Sequence, residues 1–237
     1  MKKIGIIALC ISLILSGCGS MNNTTKKGLI GGGAGAALGA IIGGIAGKGK
    51  GAVIGAAIGT AVGGTAGALI GKKMDKAAAQ AAAIEGAEVE QVTDSNGLQA
   101  VKVTFANNIL FATGKSTLGN DAQASLSQFA NDVLRKNPDM DVEIQGYTDN
   151  QGWKGSTVAQ SQQKNLTLSQ QRAQSVASYL LGCGVGNNQI KNVVGYGEAN
   201  PVADNSTKAG QEQNRRVEIY MYASTQMIQS AEAGTLN

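Results

Sequence analysis

Asp141-Val142-Glu143-Ile144-Gln145-Gly146-Tyr147-Thr148-Asp149-Asn150 reads as a strand that runs into a polar exit, and its flanks decide the fold. Val142, Ile144 and, less cleanly, Gly146 fall on one side, the period of a half-buried strand. Upstream, 121–136 repeats Ala122, Leu126, Phe129, Ala130, Val133 and Leu134 on one helical face, and Pro138 stops it. Downstream, Thr167-Leu168-Ser169-Gln170 resembles a capping box and opens a second helix that buries Ala173, Val176, Ala177, Leu180 and Leu181. Farther out, 101–105 precedes as a strand, and 190–196 and 216–222 follow as two more. The order β-α-β-α-β-β predicts an α+β sandwich, two helices on one face of a small mixed sheet. About 120 residues are enough for one independent core. Before it, 88–92 and 98–105 read as a hairpin around Asp94-Ser95-Asn96-Gly97, where Asn-Gly supplies a tight turn.

The same region carries the chemistry. Gly146-Tyr147-Thr148-Asp149-Asn150 is followed by Asn165-Leu166-Thr167-Leu168-Ser169-Gln170-Gln171-Arg172-Ala173, then Gly195-Tyr196-Gly197-Glu198, Pro201 and Asn214-Arg215-Arg216-Val217-Glu218. In this order, over 101–222, these blocks resemble the OmpA-like peptidoglycan-binding domain. The resemblance implies a site for the peptide stem of peptidoglycan, usually at meso-diaminopimelate. By motif position Asp149 is its anion and Arg172 its cation, Thr148 and Asn165 add neutral hydrogen bonds, and Arg215 supports the pocket. The ligand's chemistry agrees: an ammonium beside carboxylates asks for one fixed anion and one fixed cation. Arg grips a carboxylate with two parallel N–H bonds, which Lys cannot. Taken without the motif, Asp149 and Arg172 are a structural ion pair or two solvated charges; the motif favours the ligand role. One departure stands out. The segment 152–164 reads as a longer, more polar loop than the family's, and its Trp153 either stacks on ligand or sits on a surface insertion.

The N-terminal third differs in kind. Lys2 and Lys3 precede an apolar run over 4–15, too short to span a bilayer and suited to a secretory signal over 1–17. Leu15-Ser16-Gly17-Cys18 matches a bacterial lipobox, with Cys18 the lipidated residue. After a leader over 18–27, Gly recurs at 31, 35, 39, 43 and 47, then at 51, 55, 59, 63, 67 and 71. Gly lowers helix stability by about 1 kcal/mol per residue in water, so a four-residue Gly period suits close backbone packing, as in membrane helices. Lys48-Gly49-Lys50 divides 28–73 into two arms, 29–47 and 52–71, each about 28–30 Å long as helix. A hairpin dipping into the bilayer leads over a zipper between copies and over a flexible spacer. An Ala-rich helix over 74–84 and the hairpin make a linker, 74–100, before the domain at 101–223; 224–237 reads as a loose tail. The whole chain resembles the YiaD-type lipoproteins, which join a Gly zipper to an OmpA-like domain.

Composition narrows the function. There is no His, which removes the commonest general base and zinc ligand. Cys10 lies in the signal and Cys18 carries lipid, so Cys183 is the one thiol left and no internal disulfide is expected. No Gly-x-Ser-x-Gly motif occurs, and Glu143 with Asp149 is a weak carboxylate pair. The formal charge of +4 includes Lys2 and Lys3, and no dense basic patch suggests nucleic acid. The expectation is a non-catalytic envelope lipoprotein, with no cofactor or metal, that tethers a membrane to the wall. The alternative is a subunit of a Gly-zipper membrane assembly for which the domain is only a locator. Expected partners are peptidoglycan, the lipid bilayer through acylated Cys18 and through 28–71, and further copies of the chain. The anchor faces the periplasm, with the outer membrane favoured because Gly19 and Ser20 include no Asp.

Overall fold

The computed structural model describes residues 64–94 and 97–236. The signal, Cys18, and the Gly tract up to residue 63 lie outside the described residues. The chain order is α1 Gly64–Ala81, β1 Ala87–Thr93, β2 Gln99–Ala106, a single turn α2 Asn107–Leu110, and α3 Asn120–Phe129 continuing as a π turn over Ala130–Leu134. Then come β3 Met140–Gly146, α4 Val158–Gly182, β4 Ile190–Gly195, α5 Lys208–Asn214, β5 Arg216–Ala223 and α6 Thr225–Glu232.

The five strands form one mixed sheet in the order β1-β2-β5-β3-β4. β3 and β4 are parallel, as a helical crossover between them requires, and every other pair is antiparallel. Period-two alternation sends Val101, Val103, Phe105, Val142, Ile144, Val217, Ile219 and Met221 into a core shared with α3 and α4. Phe105 meets Phe129 edge to face at 5.8 Å, joining sheet to helix. The α+β sandwich expected from the pattern is the fold observed.

Four sequence expectations need correction. The second large helix opens at Val158, capped by Thr157 and Gln160 in a reciprocal capping box. The box expected at Thr167-Leu168-Ser169-Gln170 lies inside the helix, where the Thr167 hydroxyl donates to the Gln163 carbonyl. Both tetrapeptides fit the pattern, and the earlier one wins because nothing between them breaks the helix. Most of the supposed 152–164 loop is therefore two extra turns of α4, with Leu181 only half-buried at the far end. The Ala-rich helix begins at Gly64, ten residues earlier than expected, so the division at 73/74 falls inside α1. Ala66, Ile70, Met74, Ala77, Ala78 and Ala81 are its buried stripe, and they belong to the main core. The last eight residues of the second Gly-rich arm are thus part of a helix docked on the domain. The hairpin of the supposed linker is likewise the edge of the main sheet. Finally, the loose tail is in part a helix: Ser224 caps α6, and Met227, Ile228 and Ala231 close the core against α1. Short helices with small residues give weak periodicity, which hides such packing. Among the described residues no helix is long and apolar enough to cross a membrane.

Candidate functional site

Two glycines let the site form. A Cβ at Gly146 would stand 2.3 Å from the Ser169 carbonyl oxygen, and one at Gly195 would stand 2.2 Å from the Gln170 nitrogen. Only glycine lets α4 lie this close to the ends of β3 and β4. The Gln170 side chain then bonds Gly195 N at 2.7 Å and the Val193 carbonyl at 3.1 Å, and the Ser169 hydroxyl accepts from Gly197 N at 2.8 Å. This pins the first half of α4 beside the exit of β3, where Asp149 leaves the sheet.

Asp149 is buried, its side chain 8% exposed, and its carboxylate pairs with Arg215, which is 31% exposed. The other carboxylate oxygen accepts from Gln151 N at 3.1 Å. Arg172 is 2% exposed overall. Its Nε donates to the Lys115 carbonyl at 3.0 Å and its guanidinium lies over Phe111 at 5.4 Å. Among the described residues no hydrogen bond or ion pair engages its Nη atoms. Burial lowers the Arg172 pKa from 12.5 to about 10, Asp149 pulls it back up, and Arg215 pushes it down again. The group is still a cation at neutral pH, poorly compensated and held still.

The structure brings Asp149, Arg172 and Arg215 into one electrostatic cluster, but Asp149 and Arg172 are not an ion pair. The resident partner of Asp149 is Arg215. Thr148 flanks the cluster: its N–H donates to the Gly197 carbonyl at 2.7 Å, and its buried hydroxyl has no partner among the described residues. Asn165 is also there, but already engaged. Its oxygen accepts from the Trp153 indole N–H at 2.7 Å, and its amide donates to the carbonyls of Gln151 at 3.2 Å and Asp149 at 3.5 Å. Trp153 in turn carries Lys164 over its ring at 5.7 Å. The Trp–Asn contact spans the extra turns of α4 and holds the carboxylate loop, a role neither residue's sequence context announced. Phe111 and the Lys115 carbonyl were also missed, since a backbone acceptor leaves no trace in residue identity.

The three residues of the Asn214-Arg215-Arg216 block divide their work. Asn214 is fully buried; it accepts from Val202 N and Ala203 N and donates to the Ala203 carbonyl and Asn205 Oδ1. Arg215 turns toward Asp149. Arg216 turns to the opposite side, into a buried ion pair with Glu218 at 2.7 Å.

Residues 110–215 match the model of the OmpA family, and residues 1–75 match that of the YMGG-like Gly-zipper. The chain is 41% identical over 117 residues to the probable lipoprotein YiaD of Escherichia coli, a match covering 49% of each chain. It is 47% identical over 88 residues to the peptidoglycan-binding protein ArfA of Mycobacterium tuberculosis, covering 37% of this chain and 24% of ArfA. The chain thus spans about half or less of these relatives. A solved MotB-like protein from Desulfovibrio vulgaris shares the fold, with a TM-score of 0.56 and 22% identity over 68% of this chain and 97% of that one.

Proposed function

We propose, from the match of residues 110–215 to the OmpA family, that the chain binds the peptide stem of peptidoglycan at its diaminopimelate residue and tethers an envelope membrane to the wall. The observation that carries this reading is Arg172: a buried guanidinium with its Nη edge unclaimed, beside a carboxylate whose partner Arg215 is exposed enough to swing away. A ligand carboxylate completes Arg172, and a ligand ammonium takes the Asp149 oxygen that Arg215 holds. The orphan Thr148 hydroxyl adds a neutral contact. Asn165 acts by fixing the Asp149 loop more than by touching ligand. ArfA, a peptidoglycan-binding protein, supports the same ligand, and YiaD, a probable lipoprotein, supports lipid attachment, for which Cys18 is the residue. ArfA is a binding protein and YiaD a probable lipoprotein, and on that likeness we read the chain as a binding protein and not an enzyme. The lipid holds it in the outer membrane facing the periplasm, where tethering to a polymeric wall raises the effective ligand concentration and makes modest single-site affinity sufficient.

The test is sedimentation of the full chain, solubilised in mild detergent, with purified sacculi. The parent is expected in the pellet, and Asp149→Ala and Arg172→Ala in the supernatant. A parent that stays in solution defeats the reading.

A further inference from the structure

We propose that a cleft beside Arg172 is a second subsite, one that seats the saccharide strand from which the stem hangs; this rests on the stem-binding reading above. The cleft is a wide-mouthed depression of about 490 Å³, open to solvent, whose volume falls in the size range of small-ligand sites. One wall is Ser116, Thr117 and Leu118, from the segment between α2 and α3. The other is the outward side of α4, where Ser175, Ser178 and Tyr179 line the floor.

The lining selects a ligand class. It contains no charged side chain, so it offers a phosphate or a carboxylate no counter-charge. It offers hydroxyls around the apolar Leu118, of which Tyr179 OH already bonds Ser127 Oγ at 2.8 Å and Ser178 Oγ accepts from Gln174 Nε2 at 3.4 Å; the lining suits a neutral polyol with one C–H face. The hydroxyls of Ser116 and Thr117 make no hydrogen bond among the described residues. Ser175 Oγ donates to the Gln171 carbonyl at 2.9 Å, which leaves its lone pairs free to accept.

Position makes the same assignment. The segment that walls the cleft starts at Lys115, whose carbonyl holds Arg172 Nε at 3.0 Å, so cleft and stem pocket share a boundary. On α4, Ser175 and Tyr179 follow Arg172 at i+3 and i+7 and lie on its side of the helix. At 1.5 Å per residue, Tyr179 is about 10 Å along the axis from Arg172. In peptidoglycan two stem residues and a lactyl ether separate diaminopimelate from the sugar ring. Extended at about 3.3–3.6 Å per residue, that link also covers about 10 Å. A stem anchored at Arg172 and running along α4 therefore delivers its sugar between Thr117 and Tyr179.

Calorimetric titration of the full chain in detergent tests this with two soluble ligands, the diaminopimelate tripeptide stem and the same stem carrying its disaccharide. The parent is expected to bind the disaccharide-bearing ligand about tenfold more tightly, the worth of one or two neutral hydrogen bonds. The double variant Thr117→Val, Ser178→Leu should abolish that preference while binding the bare stem as the parent does. Equal affinities in the parent, a variant that keeps the preference, or a variant that weakens both ligands alike overturns the subsite and leaves the stem pocket standing. If neither ligand binds the parent, the stem-binding reading falls with it.

Discussion

Arg215 and Arg216 are neighbours in the chain, yet they belong to two polar regions with opposite character. Arg216 is closed in on every side. Its Nε bonds Glu218 at 2.7 Å, Nη1 and Nη2 bond the Asn214 and Asn200 carbonyls at 3.2 Å, and its guanidinium stacks on Tyr147 at 3.9 Å. The network continues through Tyr220 OH to Glu218 Oε2 at 2.7 Å, and through Tyr147 OH to Gln145 and from there to Glu143. Tyr147 stacks on Tyr196 with centroids 5.4 Å apart. Burial pushes the phenols of Tyr147 and Tyr220 well above their ordinary range, so both remain neutral donors. Apart from the buried Tyr196 hydroxyl, which has no partner among the described residues, this polar cluster consumes its own bonding capacity. Across the same backbone, Arg215, Asp149 and Arg172 are two cations for one carboxylate, with Arg172 bonded among the described residues only through Nε. Satisfied polar networks specify a structure, whereas incomplete ones store free energy that a ligand can release. The contrast separates scaffold from site more sharply than residue type does.

The largest effects should fall on binding. Arg172→Met is expected to weaken stem affinity about 100-fold, as loss of a bidentate charge-assisted contact would, in calorimetric titration. It should not destabilise the empty protein. Because burial lowers the Arg172 pKa to about 10, folding is penalised at every pH at which the side chain is charged in the folded state. The neutral variant should therefore melt no lower than the parent at pH 7. Arg216→Met is the converse. It strands Glu218 in the interior and should reduce unfolding free energy by about 3–5 kcal/mol in denaturant titration. A variant at 216 that spares stability but abolishes binding would erase the distinction between the regions.

Smaller effects sharpen it. Trp153→Phe keeps a ring but deletes the donor to Asn165, and should weaken stem binding by about 1 kcal/mol with little change in melting temperature. If Trp153 stacks on ligand instead, Phe will preserve affinity. The smallest is in the scaffold. Burial raises the Glu143 pKa above its ordinary 4.5. A raised carboxyl pKa means that the folded state binds the extra proton, so stability falls as pH rises through that shifted value. Glu143→Gln should then stabilise the chain at neutral pH, with an advantage that vanishes as pH drops toward 4.5, seen in melting curves across pH.

The sandwich was legible because its strands and long helices repeat apolar residues at clean periods. What escaped were features whose evidence is not periodic. α1 and α6 bury mainly Ala and Met on short stripes, and two equally good capping boxes precede α4. At the site, the identities of Asp149, Arg172 and Arg215 were readable from the motif, but their pairing was not. Sequence order says nothing about which of two arginines, at positions 172 and 215, a carboxylate will meet, and the outcome follows from how α4 and β5 approach the exit of β3. The Trp153–Asn165 contact escaped for another reason: it depends on turns of helix that read as a loop.

The central claim is that the unclaimed edge of Arg172, with Asp149, is a seat for a diaminopimelate stem. Titrating the soluble tripeptide stem into the full chain in detergent tests it most directly, beside Asp149→Ala and Arg172→Met variants shown by circular dichroism to be folded. The account expects saturable binding to the parent and none measurable to either variant at the same concentrations. Binding that survives in both folded variants, or a parent that takes up no stem, would contradict it.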